Sequence, residues 1–136
     1  MAKHKTLNTA GLIVLKDKKL LLAFSANKKA WYLPGGKLNP EETAAQGLIR
    51  EVFEELQLRL NPQQLTYYGH ITAPAFGEAD LTMEQACFSY VLHETPKPSN
   101  EILAVKYFDL ESYRLEKDQV PGVIILFERL RADALL

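Results

Sequence analysis

The sequence lacks several features that define whole classes of protein. It has one cysteine, Cys87, so no disulfide can form within the chain, and we expect a small buried apolar side chain there rather than a reactive thiol. No apolar run approaches membrane-spanning length, and the N-terminal Lys3, His4 and Lys5 are not followed by the apolar segment of a secretory signal. We therefore expect a cytoplasmic protein with no membrane partner.

Repeats and low-complexity segments are also missing. No basic stripe interleaved with aromatic residues suggests a nucleic-acid groove, so we predict no nucleic-acid partner. A length of 136 residues suits one hydrophobic core and is too short for two. We expect a single domain over residues 1–136.

The net charge of −1 hides an asymmetry along the chain. Residues 1–37 hold eight lysines and one acid, Asp17, which gives +7, and the remaining residues give −8. A basic part beside an acidic part suits a polyphosphate substrate. For any single lysine, a solvated lysine-rich hairpin is an equally good explanation.

Apolar and β-branched runs predict several strands and a last helix. Leu7 to Leu15 and Lys19 to Phe24 flank the polar turn at residues 16–18, which indicates a β-hairpin. Pro121 opens a helix. This pattern predicts an α+β chain with a mixed sheet. The other predicted strands are Trp31 to Leu33, Leu65 to Thr72, Leu81 to His93 and Ile102 to Phe108, and the apolar stripe of the last helix is Val123, Ile124, Phe127 and Leu130.

The most informative segment is Gly35 to Leu58, where a glycine turn precedes a helix. We predict that Asn39 caps this helix, with Pro40 at its first position and Glu42 reaching back to the cap. Apolar residues then recur at the three-and-four spacing of an amphipathic helix. The predicted buried stripe is Ala45, Leu48, Ile49, Val52 and Leu56.

Three acidic residues of this helix, Glu51, Glu54 and Glu55, fall within one quadrant beside the stripe. Like charges at these spacings destabilise a helix, and a hard divalent cation would offset the repulsion because it binds several carboxylate oxygens. A solvated acidic face with Arg50 as its partner would explain the same pattern.

The spacing of the segment adds context to these acids. From Gly36 there are five residues to Glu42, then seven to Arg50-Glu51-Val52, one to Glu54-Glu55, and one to Gln57-Leu58. This resembles the signature box of the Nudix hydrolases, and the preceding Trp31 to Pro34 is similar to the family's usual entry. The departure is Gln57, where the family has glycine. Either Gln57 takes up a strained left-handed conformation, or the helix runs on toward Asn61-Pro62.

The resemblance implies an α/β/α sandwich, in which a mixed β-sheet is flanked by helices, and hydrolysis of a nucleoside diphosphate linked to a further group. It implies Mg²⁺, with Mn²⁺ as the other option, held by Glu51, Glu54, Glu55 and the carbonyl of Gly36. It also implies that Arg50 braces the glutamates with Glu42 as its partner. Glu54, Glu55 or Glu101 would be the general base. Lys37 and Gly35 are placed to meet substrate, although Lys37 can equally be solvated.

Substrate identity depends on loops outside this segment. The short chain resembles compact nucleoside-triphosphate pyrophosphatases, so a nucleoside triphosphate ranks first and ADP-ribose or another nucleoside diphosphate derivative second. A nucleotide-binding module without catalysis stays open, although such modules usually lose the box glutamates. We expect a small-molecule nucleotide as partner and leave a homodimer open. His4, His70 and His93 are scattered, and we expect them to be structural or solvated.

Overall fold

The structure, a computed structural model, describes residues 5–136. His4 and Lys3 of the N-terminal basic group lie outside the described residues. The strands are β1 (Lys5–Ile13), β2 (Leu15–Lys16), β3 (Lys19–Ser25), β4 (Ala30–Tyr32), β5 (Gly35–Lys37), β6 (Thr66–Pro74), β7 (Leu81–Ser89) and β8 (Ile102–Phe108). The helices are α1 (Ala44–Leu56), α2 (Leu110–Tyr113) and α3 (Pro121–Ala132), with a 3₁₀ turn at Pro62–Gln64.

A mixed sheet carries the predicted site. Its strand order is β5-β1-β7-β6, with β1 parallel to β7 and the other pairs antiparallel. The register aligns Thr9 of β1 with Lys37 on one side and with Gln85 on the other. The box strand β5 therefore lies two strands away from β7.

The remaining strands form a second, antiparallel sheet in which β3 pairs with β2, β4 and β8. This corrects the predicted hairpin, because residues 14–16 fold back on β3 while β1 pairs in the mixed sheet. The chain passes from one sheet to the other at Val14. Both strands of the predicted hairpin are apolar enough to be central, and periodicity does not reveal the change of sheet.

Both sheets contribute to two hydrophobic clusters, one beneath α1 and one beneath α3. Leu12 of β1 and Leu21 of β3 pack with Leu48 and Val52 of α1. On the opposite side, Ile13 and Leu22 belong to the cluster of α3. Alternate residues of a strand point to opposite faces, so one layer of strands is covered on both sides. The predicted α/β/α sandwich with a mixed sheet is confirmed.

The start of α1 differs from the prediction. Residues 40 and 41 form a turn, and the helix begins at Ala44 with Thr43 as its N-cap and Gln46 completing the capping box. Asn39 is therefore not the cap and Pro40 is not helical. Glu42 does accept a hydrogen bond from the backbone N–H of Asn39 (2.8 Å). Its other oxygen accepts from Nε of Arg50 (2.7 Å), so Glu42 is held in the segment before the helix, and the later capping box forms the start.

The end of α1 decides between the two alternatives at Gln57. The helix ends at Leu56, and Gln57 is left-handed, with φ 56° and ψ 31°. Its N–H donates to the carbonyl of Phe53 (2.9 Å). The glutamine therefore has the conformation that glycine would adopt more easily.

Other element boundaries also needed correction. The predicted glycine turn at Gly35-Gly36 is strand β5, paired with Gly11 and Ala10 of β1. The long strand predicted to His93 ends at Ser89, and the one predicted over residues 65–72 runs from Thr66 to Pro74. Helix α2 was not predicted. The strand Ile102–Phe108 and the helix opened by Pro121 are confirmed.

Candidate active site

Strand β5 and the last turn of α1 meet at one backbone contact. The N–H of Gly35 donates to Oε1 of Glu55 (3.0 Å). Gly35 has φ 136°, and a Cβ there would lie 2.1 Å from the carbonyl oxygen of Ala10. Only glycine fits this close pairing of β5 with β1. Gly35, the residue directly before the glycine that opens the box, therefore fixes the strand that receives Glu55.

Glu55 is a buried acid, with 7% of its surface exposed. Burial raises its pKa to about 8, and the negative charges of Glu51, Glu101 and Glu54 act in the same direction. The hydrogen bond from Gly35 opposes the shift. Such an acid is stable as an anion only when a positive charge is added nearby.

Gly36, the glycine that opens the box, makes room for Glu51. A Cβ on Gly36 would lie 2.6 Å from Oε2 of Glu51, so the carboxylate occupies the space where a side chain would otherwise be. Burial also raises the pKa of Glu51, against the opposing effect of Arg50. The carboxylate of Glu51 therefore packs directly against the backbone of Gly36.

Arg50 links the helix to the segment before it. Its guanidinium binds both oxygens of Glu42 through Nε (2.7 Å) and Nη2 (2.8 Å), and Nη1 donates to Oε1 of Glu51 (2.9 Å). Nη2 also donates to the carbonyl of Lys37 (3.0 Å). The contact to Glu54 is longer, at 3.5 Å. The carboxylates raise the pKa of Arg50 further, and Arg50 lowers the pKa of Glu42 to about 2.

Glu54 and Glu101 belong to a neighbouring loop contact. Asn100 and Ser99 both donate side-chain hydrogen bonds to the carbonyl of Glu54 (2.6 Å each), which ties the loop before β8 to the end of α1. Glu101 follows directly and accepts from Nδ2 of Asn27 (2.6 Å). Its charge contributes to the raised pKa values of Glu51 and Glu55, so it lies near the box acids.

The donor set can be compared with the needs of a divalent cation. Among residues 5–136, no three His, Cys, Asp or Glu side chains converge closely enough to hold a metal ion as they stand. One oxygen of Glu51 faces Arg50, and the side chain of Glu54 is half exposed. Hard carboxylate oxygens beside a glycine backbone nevertheless fit Mg²⁺ or Mn²⁺, and their mutual repulsion favours one.

A cleft of about 360 Å³ opens beside these acids, between the two sheets. Lys37 and Lys28 lie at its walls with Glu101, and Nζ of Lys28 is paired with Oε1 of Glu78 (3.2 Å). The rings of Tyr32 and Phe76 meet edge to face, with centroids 6.3 Å apart. The cleft therefore has a charged end at the box and an apolar, aromatic interior.

Several cleft residues were not predicted from the sequence. Gln85 is one of them. The sequence signal that points to it is a polar residue between the apolar residues Met83 and Cys87 on the same face of β7. Cys87 is fully buried, as predicted, and burial raises the pKa of its thiol to about 12. His70 contacts Glu84 on the surface, and His93 is exposed.

Comparison with known proteins identifies the family of this chain. The model of the NUDIX domain matches residues 5–129. A MutT-like protein of Streptomyces ambofaciens is 39% identical over 61 residues, a match that spans 45% of this chain and 40% of that protein. The chain therefore belongs to the Nudix hydrolase family.

Solved structures agree with the fold. The MutT protein from Methanosarcina mazei Go1 superimposes with a TM-score of 0.79 at 21% identity, covering 98% of this chain and 99% of that one. A C. elegans Ap4A hydrolase binary complex gives 0.69 at 20% identity, covering 95% and 98%. A bifunctional NMN adenylyltransferase/ADP ribose pyrophosphatase from Francisella tularensis, complexed with AMP and a Mn ion, gives 0.68 at 21%, covering 96% of this chain and 42% of that one.

Proposed function

We propose that this chain is a metal-dependent pyrophosphohydrolase that cleaves a nucleoside triphosphate to the monophosphate and pyrophosphate. The observation that carries the proposal is Glu55, a buried acid held by the N–H of Gly35 among three other carboxylates at the charged end of the cleft. Strongly perturbed acids in a cleft are typical of a catalytic centre. Family membership supports the reaction class.

The protein's own residues would share the work as follows. Glu51, Glu54, Glu55 and the carbonyl of Gly36 would hold Mg²⁺, or Mn²⁺ as in the Francisella complex. When bound, the metal would polarise the phosphoryl oxygens and lower the pKa of a bound water. Arg50 keeps Glu51 directed toward Gly36 by binding it and Glu42 at once. Lys37, which lines the cleft, would meet a phosphate, and Gly35 would position the strand beneath it.

Three carboxylates remain candidates for the general base. Burial raises the pKa of Glu55 to about 8, Glu54 is the most exposed of the box acids, and Glu101 stands on a separate loop. The side chain of a general base must lie within hydrogen-bond reach of the attacking water. General-base catalysis is most efficient when the pKa of that side chain lies near the working pH. We assign Glu55 first to the role of metal ligand and only second to that of general base, because the N–H of Gly35 already holds its carboxylate.

The cleft supports a substrate with one nucleoside. A volume of about 360 Å³ lies at the lower end of the range for small-molecule sites, which is about 300–1,000 Å³. ADP-ribose or another nucleoside diphosphate derivative is the second candidate substrate, because the Francisella pyrophosphatase shares the fold.

A nucleotide panel tests the proposal. Wild type, Glu54→Gln and the control Glu128→Gln, an exposed glutamate of α3, are incubated with Mg²⁺ and common nucleotides, and products are separated. We expect pyrophosphate release by wild type and the control, and a kcat lowered by about 10²-fold or more in Glu54→Gln with nucleotide binding retained. If wild type binds nucleotides but releases neither pyrophosphate nor phosphate, the chain is a binding module. Hydrolysis of ADP-ribose with intact triphosphates would reverse the substrate order.

Residues 5–136 contain no helix that is long and apolar enough to cross a membrane. The single domain over residues 1–136, the cytoplasmic location and the option of a homodimer stay predictions. Size-exclusion chromatography with light scattering tests the last of these.

A further inference from the structure

The cleft has an amide, that of Gln85, in a largely apolar part of its wall, with the polar Thr9 beside it on β1. Leu81, Met83 and Gln85 alternate along β7 and all line the cleft, with Leu7 and Leu33 beside them. A primary amide carries two N–H donors and one carbonyl acceptor. The side chain of Gln85 is half-buried, so where the protein gives its amide no partner, the amide is open to solvent or to a ligand.

The neighbouring strand leaves room for this amide. A Cβ on Gly11 would lie 3.0 Å from both Cδ and Nε2 of Gln85, and 2.9 Å from Cδ1 of Leu33. Gly11 has an ordinary backbone conformation, so its role is space and not a turn. Any larger residue at this point of β1 would displace the amide of Gln85.

The amide has few protein partners. Its Oε1 lies 3.8 Å from the thiol of Cys87, a weak contact. Within the part of the chain that the structure describes, no protein atom accepts a hydrogen bond from Nε2. The donor is therefore available to a ligand in the cleft.

The position of Gln85 relative to the box follows from the strand register. Lys37 on β5, Thr9 on β1 and Gln85 on β7 are aligned across three neighbouring strands. Neighbouring strands lie roughly 5 Å apart, so about 10 Å separates the Cα atoms of Lys37 and Gln85. A nucleotide with its phosphates at the charged end would place its base at this distance along the cleft.

We propose that Gln85 is the specificity-determining residue that recognises the edge of the nucleobase. The inference rests on the proposed nucleotide substrate. It adds that the nucleobase is the part recognised and that the amide of Gln85 recognises it. Bases carry a hydrogen-bond donor next to an acceptor, and a glutamine amide can pair with both. The amide would then find in the substrate the partners that the protein does not provide.

The test uses Gln85→Met, which keeps the length of the side chain and removes its hydrogen bonds, with Gln85→Glu as a second variant that replaces the donor by an acceptor. Gln63→Met, in the exposed 3₁₀ turn, is the matched control. Calorimetry measures binding of AMP, GMP, CMP, UMP and ribose 5-phosphate, and kinetics measure KM and kcat for the corresponding triphosphates. Circular dichroism establishes that each variant is folded.

For the best-bound nucleotide, we expect Gln85→Met to raise the Kd and KM about 5- to 10-fold, with kcat nearly unchanged. Ribose 5-phosphate, which lacks a base, should bind all variants equally. Gln85→Glu should change the order of preference among the four bases. If wild type hydrolyses nucleotides and both folded variants keep its order and ratios of preference, Gln85 does not read the base. If wild type neither binds nor hydrolyses any nucleotide, the proposed function itself fails.

Discussion

At the residue scale, the paired contacts of Arg50 explain how acids of like charge can share one helix face. The guanidinium satisfies both oxygens of Glu42 with one edge and reaches Glu51 with another nitrogen. Arginine offers this planar fork, whereas lysine offers a single point of charge. Arg50 therefore fixes the positions of Glu42, at the start of the box, and Glu51, in its middle.

Replacing Glu42 by Gln should lower thermal stability in a pH-dependent way. Arg50 and the N–H of Asn39 lower the pKa of Glu42 from the ordinary 4.5 to about 2. Because the folded-state pKa is lowered, the stabilisation is complete above about pH 4.5 and disappears as the pH falls toward 2. The difference in Tm between wild type and Glu42→Gln, measured by circular dichroism, should be constant from pH 5 to 7 and shrink below that range.

Glu111→Gln is the matched control for this series, since the side chain of Glu111 is 71% exposed and pairs with Arg131 at the surface. We expect its Tm to follow wild type at every pH. A Glu42→Gln protein whose Tm equals that of wild type at pH 6 would contradict the stabilising role assigned to the pair.

The box residues could be predicted individually because their spacing is local in sequence. The partnership of Arg50 with Glu42 and the buried state of Cys87 agree with expectation. Gln85 could not be assigned, since its surroundings come from β1 and the segment before β5, far away in sequence. Periodicity identifies which face of a strand a residue shares, but not what lies opposite that face.

At the scale of elements, α1 is followed by a residue, Gln57, in a left-handed conformation that a residue with a Cβ disfavours. Gln57 has φ 56°, which costs a residue with a Cβ about 1 kcal/mol relative to glycine. Gln57→Gly should therefore stabilise the fold by about 1 kcal/mol, or roughly 2–5 °C in Tm. Differential scanning calorimetry measures the change, and Gln57→Ala, which keeps the Cβ, should give little gain. An unchanged Tm in Gln57→Gly would mean that the side chain of Gln57 offsets the strain.

Element types were easier to predict than partners and boundaries. The helix α3 and the strand β8 have strong local patterns, and both are as expected. At the start of α1, the sequence Asn39-Pro40 carries a strong start signal, but the turn there is held by Glu42 while Thr43 and Gln46 form the capping box. The change of sheet between β1 and β2 depends on long-range pairing with β7 and β3, which no local pattern contains.

At the scale of the whole molecule, the basic N-terminal part of the chain and the acidic remainder both contribute side chains to the cleft. Lys28 and Lys37 come from the basic N-terminal part, and Glu55 and Glu101 come from the acidic remainder. Lys28 is already paired with Glu78, so it is less available than Lys37 to a phosphate. A polyphosphate would add negative charge beside four acids, and lysine alone does not compensate for it.

Binding of Mg²⁺ should therefore stabilise the whole fold. A ligand that binds only the folded state adds about 1.4 kcal/mol at ten times its Kd, which corresponds to roughly 2–6 °C in Tm for a chain of this size. Thermal unfolding is followed with and without MgCl₂ at constant ionic strength, in wild type, Glu51→Gln and the surface control Glu128→Gln. Wild type and the control should shift alike, while Glu51→Gln, which loses the carboxylate beside Gly36, should shift less. Equal shifts in all three proteins would place the cation elsewhere on the molecule.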